Sequence, residues 1–224
     1  METLGSEPGR PFVEAAGVEH PSLVDTGHLM GSLFGVINIP NAVWIDENGL
    51  IVRPAEPAWP KPRKPGGASL PEGTPQRLID TMAEARNIVA WTADEYGDAV
   101  RDWAAHGSAS RYVMSPDEVL ARSGARDSFT SSAAAHFALA EHFEHIGDHQ
   151  KAVEYFREAH RLAPRNWTYK RQAWSIEGDK SHPMARLWQG PAPDSDGSDW
   201  PYESDWLTEI RERGARNYYR ETHL

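Results

Sequence analysis

Apolar residues recur at steps of three and four positions between Ser132 and Asn166, the spacing that places them on one face of a helix. The pattern breaks at Gly147-Asp148 and ends at Pro164, because proline does not fit a helix interior. We therefore predict two helices joined by a short turn. The apolar positions are Ala133, Phe137, Ala140, Phe143 and Ile146 on the first helix, and Ala152, Val153, Phe156, Ala159 and Leu162 on the second.

N-terminal signals predict three more helices in the centre of the chain. Thr74 precedes a proline, which favours the first helical position. Thr92 and Ser115 are followed three residues later by Glu95 and Glu118, the spacing of a capping box. The same apolar periodicity predicts shorter helices over residues 11–16, 28–34, 167–176 and 205–213.

One run has the character of a strand. Ala42–Asp46 is rich in β-branched and aromatic residues, which indicates a buried strand. Asn48-Gly49 tolerates positive φ at both central positions of a tight turn, and Leu50–Val52 returns as a second strand. The fold class predicted from these elements is α+β, mainly α, with a β-hairpin ahead of a helical domain.

Composition excludes several classes of function. The chain has 224 residues, nine Trp, no Cys and a net charge of −10. Phosphate binding needs clustered Lys and Arg, so we expect neither nucleic acid nor an anionic membrane as partner. No apolar run approaches the roughly 20 residues of a membrane span, and we expect a cytoplasmic protein. Without Cys, disulfides, thiolate metal sites and thiol mechanisms are excluded.

The paired helices resemble a tetratricopeptide repeat, a helical hairpin of about 34 residues. The repeat usually binds peptides along its first helix, so the resemblance implies a protein or peptide partner contacting Phe137, Glu141 and Glu144. An ordinary amphipathic helix pair is the alternative interpretation. His136 departs from the family, which usually carries Trp there. The matching positions are Leu139, Ala140, Phe143, Gly147, Ala152, Phe156, Ala159 and Pro164.

Six short strings in the first third of the chain form a recognisable series: Leu23-Val24-Asp25, Phe34-Gly35-Val36, Ile39-Pro40, Trp44-Ile45-Asp46, Asn48-Gly49 and Ile51-Val52. In order and spacing they resemble the second half of a thioredoxin-fold redoxin, of the thiol-disulfide reductase and peroxiredoxin-like groups. The resemblance implies that Pro40 is a cis proline and that Ile39 presents its backbone to an extended partner peptide. From the residues alone, a trans proline at the start of a strand is the alternative.

Two functional hypotheses follow. The family's Cys-containing turn has no counterpart here, so we predict no catalytic residue and no turnover by this chain. The first hypothesis is a protein-interaction module of redox-related origin. The second is a truncated thiol-disulfide oxidoreductase or peroxiredoxin-like enzyme whose Cys-containing N-terminal part is missing. The sequence does not identify the partner, the substrate of a longer form or the oligomeric state.

We predict four consecutive regions. Residues 1–53 form the partial redoxin region, 54–75 a proline-rich linker, 76–178 the helical domain with its repeat at 133–166, and 179–224 a loose tail with a short helix. Proline-rich composition favours an extended spacer. A docking motif for polyproline recognition at Pro60 and Pro62 is the alternative.

Other candidate chemistry is weakly supported. His142 and His145 share a helix face and, with a carboxylate, have the spacing of metal ligands, but His149 lies beyond Gly147. A solvated polar face is the simpler interpretation, and we predict no metal. No Gly-x-Ser-x-Gly elbow and no phosphate-binding glycine loop occurs in the sequence. We therefore expect no cofactor.

Overall fold

The computed structural model describes residue 7 and residues 9–59, 72–177, 189–192 and 195–224. Within these residues, helices predominate and are accompanied by one antiparallel sheet of two strands. The fold is therefore α+β and mainly α, as predicted. In chain order the elements are α1 (Arg10–Ala16), α2 (Leu29–Phe34), β1 (Asn41–Ile45), β2 (Ile51–Pro57), α3 (Gln76–Arg86), α4 (Tyr96–His106), α5 (Pro116–Ser123), α6 (Ser128–His145), α7 (His149–Leu162), α8 (Trp167–Glu177) and α9 (Trp206–Arg213).

The chain divides into two compact units, each built from two stretches. The first unit comprises Met1–Ile37 and Arg126–Gln172, and the second comprises Asn38–Ala125 and Ala173–Leu224. The first therefore contains the helix pair α6–α7 and the second contains the β-hairpin. The four regions predicted from the sequence follow one another along the chain, whereas each compact unit combines two separated stretches. The division into four regions stays a prediction.

In the first unit, α6 and α7 form the predicted helical hairpin. Asp127 caps α6 by accepting a 2.7 Å hydrogen bond from the amide of Thr130, and Gly147, at φ +84°, occupies the turn. Small and large side chains alternate across the contact, which lets the helix axes approach closely. The buried positions are Ala133, Phe137, Ala140, Ala152, Phe156 and Ala159, all 2% exposed or less.

Two apolar residues of the hairpin do not join this core. Leu139 of α6 is 42% exposed, and Ile146, the C-cap of α6, is 58% exposed, whereas the sequence pattern placed Ile146 among the apolar positions of the first helix. An α-helix pair buries only the stripe that faces its partner, and these two residues lie beside that stripe. A repeat stacked against neighbouring repeats has other surfaces to cover such residues.

In the second unit, β1 and β2 form the predicted antiparallel hairpin. β2 continues to Pro57 and so includes the first four residues of the stretch predicted as linker. A register shift between Ala42 and Trp44 creates an irregular stretch opposite Pro54, and a two-stranded sheet tolerates residues that lack an N–H. The proline content of residues 54–57 did not reveal the strand, because composition does not show which backbone N–H groups the sheet needs.

The hairpin packs on α4 through aromatic side chains. Trp44 stacks on Trp103 with ring centres 4.7 Å apart, and its indole N–H donates a 2.6 Å hydrogen bond to the Tyr96 hydroxyl. The amide of Met114 donates to the carbonyl of Val52 at 3.1 Å. An isolated hairpin is marginal in water, so these contacts supply the core that the hairpin itself lacks.

The predicted helix caps are partly correct. Ser115 and Glu118 form the reciprocal hydrogen bonds of a capping box at the start of α5. The box predicted at Thr92 was wrong: α4 begins at Tyr96, after a run of turns, with Glu95 at its N-cap and no side-chain cap. The Thr92 hydroxyl is buried and has no hydrogen-bond partner among the described residues.

Two predicted features lie outside the described residues. Residues 60–71 contain the candidate docking motif at Pro60 and Pro62, and residues 178–188 include part of the predicted loose tail. The tail helix itself is present as α9. Its N-cap is Asp205, whose carboxylate accepts a 3.0 Å hydrogen bond from the amide of Thr208.

Candidate functional site

The site predicted on the repeat lies on one side of α6, here called the α6 face and defined by Phe137, Glu141 and Glu144. The structure places these residues at successive turns of the same helix. Their environments differ strongly, because this side of α6 meets α8 at one end and residues 25–37 in the middle. Residues 25–37, which include α2, are called the α2 segment below.

Phe137 is a core residue. It is 2% exposed, stacks on Tyr169 with ring centres 4.3 Å apart, and meets Phe156 edge to face at 5.4 Å. Burial on this scale leaves no side-chain surface for a partner, so the contact role predicted for Phe137 does not fit its position. Its aromatic neighbours instead fix the packing of α6 against α7 and α8.

Glu141 is in contact with a histidine that the sequence analysis did not place at the site. The His28 Nε2 lies 3.3 Å from the Glu141 Oε1, and the imidazole and Phe137 rings form a T-shaped pair with centres 5.0 Å apart. Burial lowers the pKa of His28 from 6.5 to about 4. The imidazole is therefore neutral at pH 7, and its contact with the carboxylate is polar and not an ion pair.

The two ends of the α2 segment are fixed by hydrogen bonds to backbone groups, at the start of α2 and at the start of α8. The Asp25 carboxylate accepts hydrogen bonds from the amides of Leu29, Met30 and Gly31 at 2.9 to 3.2 Å, which starts α2. The Ile37 carbonyl accepts a 2.8 Å hydrogen bond from the amide of Trp167. The α2 segment thus contacts α6 through His28 and α8 through Ile37.

Glu144 retains more accessible surface. Its carboxylate lies 2.7 Å from Nδ1 of His149, and its side chain is 24% exposed. Of the three predicted contact residues, Glu144 has the most side-chain surface for a partner, compared with 11% for Glu141. The end of the α6 face that carries Glu144 is therefore its most exposed part.

The second predicted site, at Ile39 and Pro40, lies in the other unit. The Ile39–Pro40 peptide bond is cis, as the resemblance to redoxins implies. Both backbone groups of Ile39 already have partners: its N–H donates to Asn38 Oδ1 at 2.9 Å, and its carbonyl accepts from the Tyr219 hydroxyl at 2.8 Å. A peptide that pairs with Ile39 has to replace both of these hydrogen bonds.

The sequence contained little indication that His28 contacts Glu141 or that Tyr219 contacts Ile39. His28 was placed at the start of a short helix, and nothing in its neighbourhood distinguishes it from an exposed histidine. Tyr219 lies near the C-terminal end of the sequence, far from Ile39 along the chain. Both contacts are long-range, and periodicity carries no information on long-range pairs.

The histidines of the first repeat helix do not converge. His142 and His145 are exposed, and His149 is paired with Glu144. Among the residues that the structure describes, no three His, Asp or Glu side chains are grouped as metal ligands.

None of the described helices combines the length and the apolar character needed to cross a bilayer.

Neither a curated protein nor a solved structure shows significant similarity to this sequence. Residues 133–166, which span α7 and most of α6, match the sequence profile of the tetratricopeptide repeat. The repeat suggests a protein-interaction module, since tetratricopeptide repeats generally mediate contacts between proteins.

Proposed function

We propose that this protein is a non-catalytic protein-interaction module of redox-related origin, which binds an extended peptide of a partner protein on its α6 face. The observation that carries the proposal is the α6–α7 hairpin, whose residues 133–166 match the tetratricopeptide repeat. The contacts assigned to the partner are those of Glu141 and Glu144. Ile39 and Pro40 form a second proposed contact in the other unit.

The charge of the α6 face favours a basic peptide. Glu141 and Glu144 place two carboxylates one turn apart on α6, and the whole chain carries a net charge of −10. A complementary Lys or Arg on the partner increases the association rate and sets the register of binding. The same charge argues against nucleic acid as partner.

The experiment is a selection from a displayed library of random peptides against the purified full chain. We expect basic peptides to be enriched, and we expect Glu144→Gln and Glu141→Gln to weaken their binding at least tenfold, roughly 1.4 kcal/mol. Glu154→Gln, on an exposed position of α7, is the matched control. Binding that is unchanged by both Glu141→Gln and Glu144→Gln rejects the α6 face as the site.

The redox-related origin is supported by the β-hairpin at the positions where the sequence resembles a redoxin. Thiol-disulfide chemistry uses a thiolate nucleophile, and the sequence contains no Cys. We therefore expect the purified chain to reduce neither insulin disulfides nor peroxide above the buffer rate. Clear turnover in either assay contradicts the proposal.

The second candidate is that these residues belong to a longer thiol-disulfide oxidoreductase or peroxiredoxin-like enzyme. It is favoured by the same hairpin and is tested by the genomic sequence upstream of Met1. An in-frame segment that encodes a strand and a Cys-containing turn supports it.

A cytoplasmic location belongs to the first proposal, that of the protein-interaction module, and is tested by cell fractionation.

A further inference from the structure

We propose that the α2 segment is a displaceable occupant of the α6 face, held there by His28, and that a partner peptide binds by taking its place. This inference rests on the proposed function, because it concerns the regulation of the same site. The segment covers Glu141 and Phe137 in the structure. The partner therefore competes with a part of the same chain.

The first argument is the small amount of burial that holds the segment. Among the described residues up to Ile37, only His28 and Gly31 are buried. Segments with so few buried contacts open locally at low cost in free energy. The large apolar side chains that stay exposed in this part of the chain are Phe12, Val13, Val18, Leu23, Val24, Leu29, Met30 and Leu33.

The second argument is the backbone conformation of the anchor. His28 has φ +51°, in the left-handed region that residues with a Cβ rarely adopt. In the structure this conformation accompanies burial of the imidazole against Glu141 and Phe137. A left-handed backbone at a residue with a Cβ costs free energy in the docked state, and this cost favours exchange with a competitor.

The third argument is that the docking contacts are made by a few groups of the segment, which an added peptide with the same side chains also carries. A backbone carbonyl, that of Ile37, accepts hydrogen bonds from the first two amides of α8, at 2.8 Å from Trp167 and 3.3 Å from Thr168. A ring, that of His28, meets Phe137. A hydroxyl, that of Ser32, accepts a 3.1 Å hydrogen bond from the guanidinium of Arg126. An added peptide can provide each of these contacts in the same order.

The test measures binding of a labelled peptide with the sequence of residues 25–37 to the full chain. In the wild-type chain the tethered segment competes at an effective concentration of order millimolar, so the added peptide binds weakly. His28→Ala loosens the tethered copy and leaves the α6 face intact. We expect this chain to bind the peptide at least about tenfold more tightly than wild type.

Controls separate this effect from general destabilisation. His20→Ala removes an exposed histidine outside the segment and should leave peptide affinity at the wild-type value. A peptide carrying His28→Ala should not bind, and Glu141→Ala combined with His28→Ala in the chain should abolish binding. Equal affinity of the peptide for wild type and the His28→Ala chain overturns the proposal.

Hydrogen exchange provides a readout without a ligand. The amide of Trp167 donates to Ile37 and reports docking of the segment, whereas the amide of Ala163 donates to Ala159 within the hairpin at 3.0 Å. Asp25→Ala, which removes the cap of α2, should accelerate exchange at Trp167 at least about tenfold and leave Ala163 unchanged. Equal acceleration at both amides indicates global destabilisation and overturns the proposal.

The two proposals fail in different ways. If library peptides bind in a Glu144-dependent manner but with equal affinity for wild type and His28→Ala, the module function stands and displacement is rejected. If the 25–37 peptide binds the His28→Ala chain while no library peptide is enriched, the α2 segment is a releasable ligand of α6 and the proposed partner site is rejected.

Discussion

Both carboxylate oxygens of Glu56 accept hydrogen bonds from the guanidinium of Arg53, at 2.6 and 2.9 Å, and both side chains are buried. Arg53 makes two further hydrogen bonds. Nη1 donates to the carbonyl of Tyr112 at 2.9 Å, and Nη2 donates to that of His223 at 3.3 Å. One buried ion pair therefore joins β2 to two distant stretches of its unit.

Removing one member of this pair should be costly. Glu56→Ala leaves the Arg53 charge buried without its carboxylate, and we expect a loss of about 3–5 kcal/mol in the free energy of unfolding. Urea denaturation measures it. Glu47→Ala, at an exposed residue of the hairpin turn, should change stability by less than about 0.5 kcal/mol. A Glu56→Ala variant as stable as the control shows that the pair is not buried in solution.

Ser115 and Thr92 have the same capping spacing in the sequence, but only Ser115 caps a helix. Ser115→Ala removes the hydroxyl that accepts from the amide of Glu118, and we expect it to lower stability by about 1 kcal/mol. Thr92→Ala should be neutral or stabilising, because it removes a buried hydroxyl that has no partner among the described residues. The two midpoints in urea are compared directly. Equal losses contradict the assignment of the caps.

The local elements were predictable because each depends on neighbouring residues. The break at Gly147 and the turn at Asn48-Gly49 locate the helical hairpin and the β-hairpin. The failures concern context. Thr92 has the capping spacing, but the chain continues in turns until Tyr96. Pro57 lies in a proline-rich stretch typical of a linker, but it pairs with Asn41 in the sheet.

The candidate site was less predictable than the fold. The helical pattern identifies which side of α6 carries Phe137, Glu141 and Glu144, but it cannot say what covers that side. Coverage depends on His28, a residue more than a hundred positions away along the chain. A single sequence contains no signal for such a pair. The sequence therefore placed Phe137 both among the apolar positions of the helical hairpin and among the partner contacts, and the structure places it in the core.

The indole of Trp44 depends on the Tyr96 hydroxyl for its hydrogen bond. Tyr96→Phe preserves the ring but leaves a buried N–H without an acceptor, which should cost about 1–3 kcal/mol. Thermal unfolding should show a lower midpoint than wild type. Tyr155→Phe, on α7 in the other unit, retains its stacking on Phe143 and is the control. Identical midpoints for the two variants contradict the importance of this hydrogen bond.

Acid should destabilise the protein through buried histidines. Burial chiefly, and then the nearby Lys170 cation, lower the pKa of His160 from 6.5 to about 3. The unfolded chain binds a proton at this residue below its ordinary pKa near 6.5, whereas the folded chain does not bind one until about pH 3. The unfolded state therefore binds more protons across that window, and the free energy of unfolding falls as the pH decreases below 6.5.

The expected slope is about 1.4 kcal/mol per pH unit for each buried histidine, with a plateau above the ordinary pKa. His28, whose pKa is about 4, contributes the same sign. Urea titrations at about pH 7.5, 6 and 5 measure the slope. His160→Gln should halve it, whereas His20→Gln, at an exposed residue, should retain it. Stability that is constant over this range contradicts a neutral, buried His160, because equal proton uptake in the folded and unfolded chains requires an imidazole with the same pKa in both states.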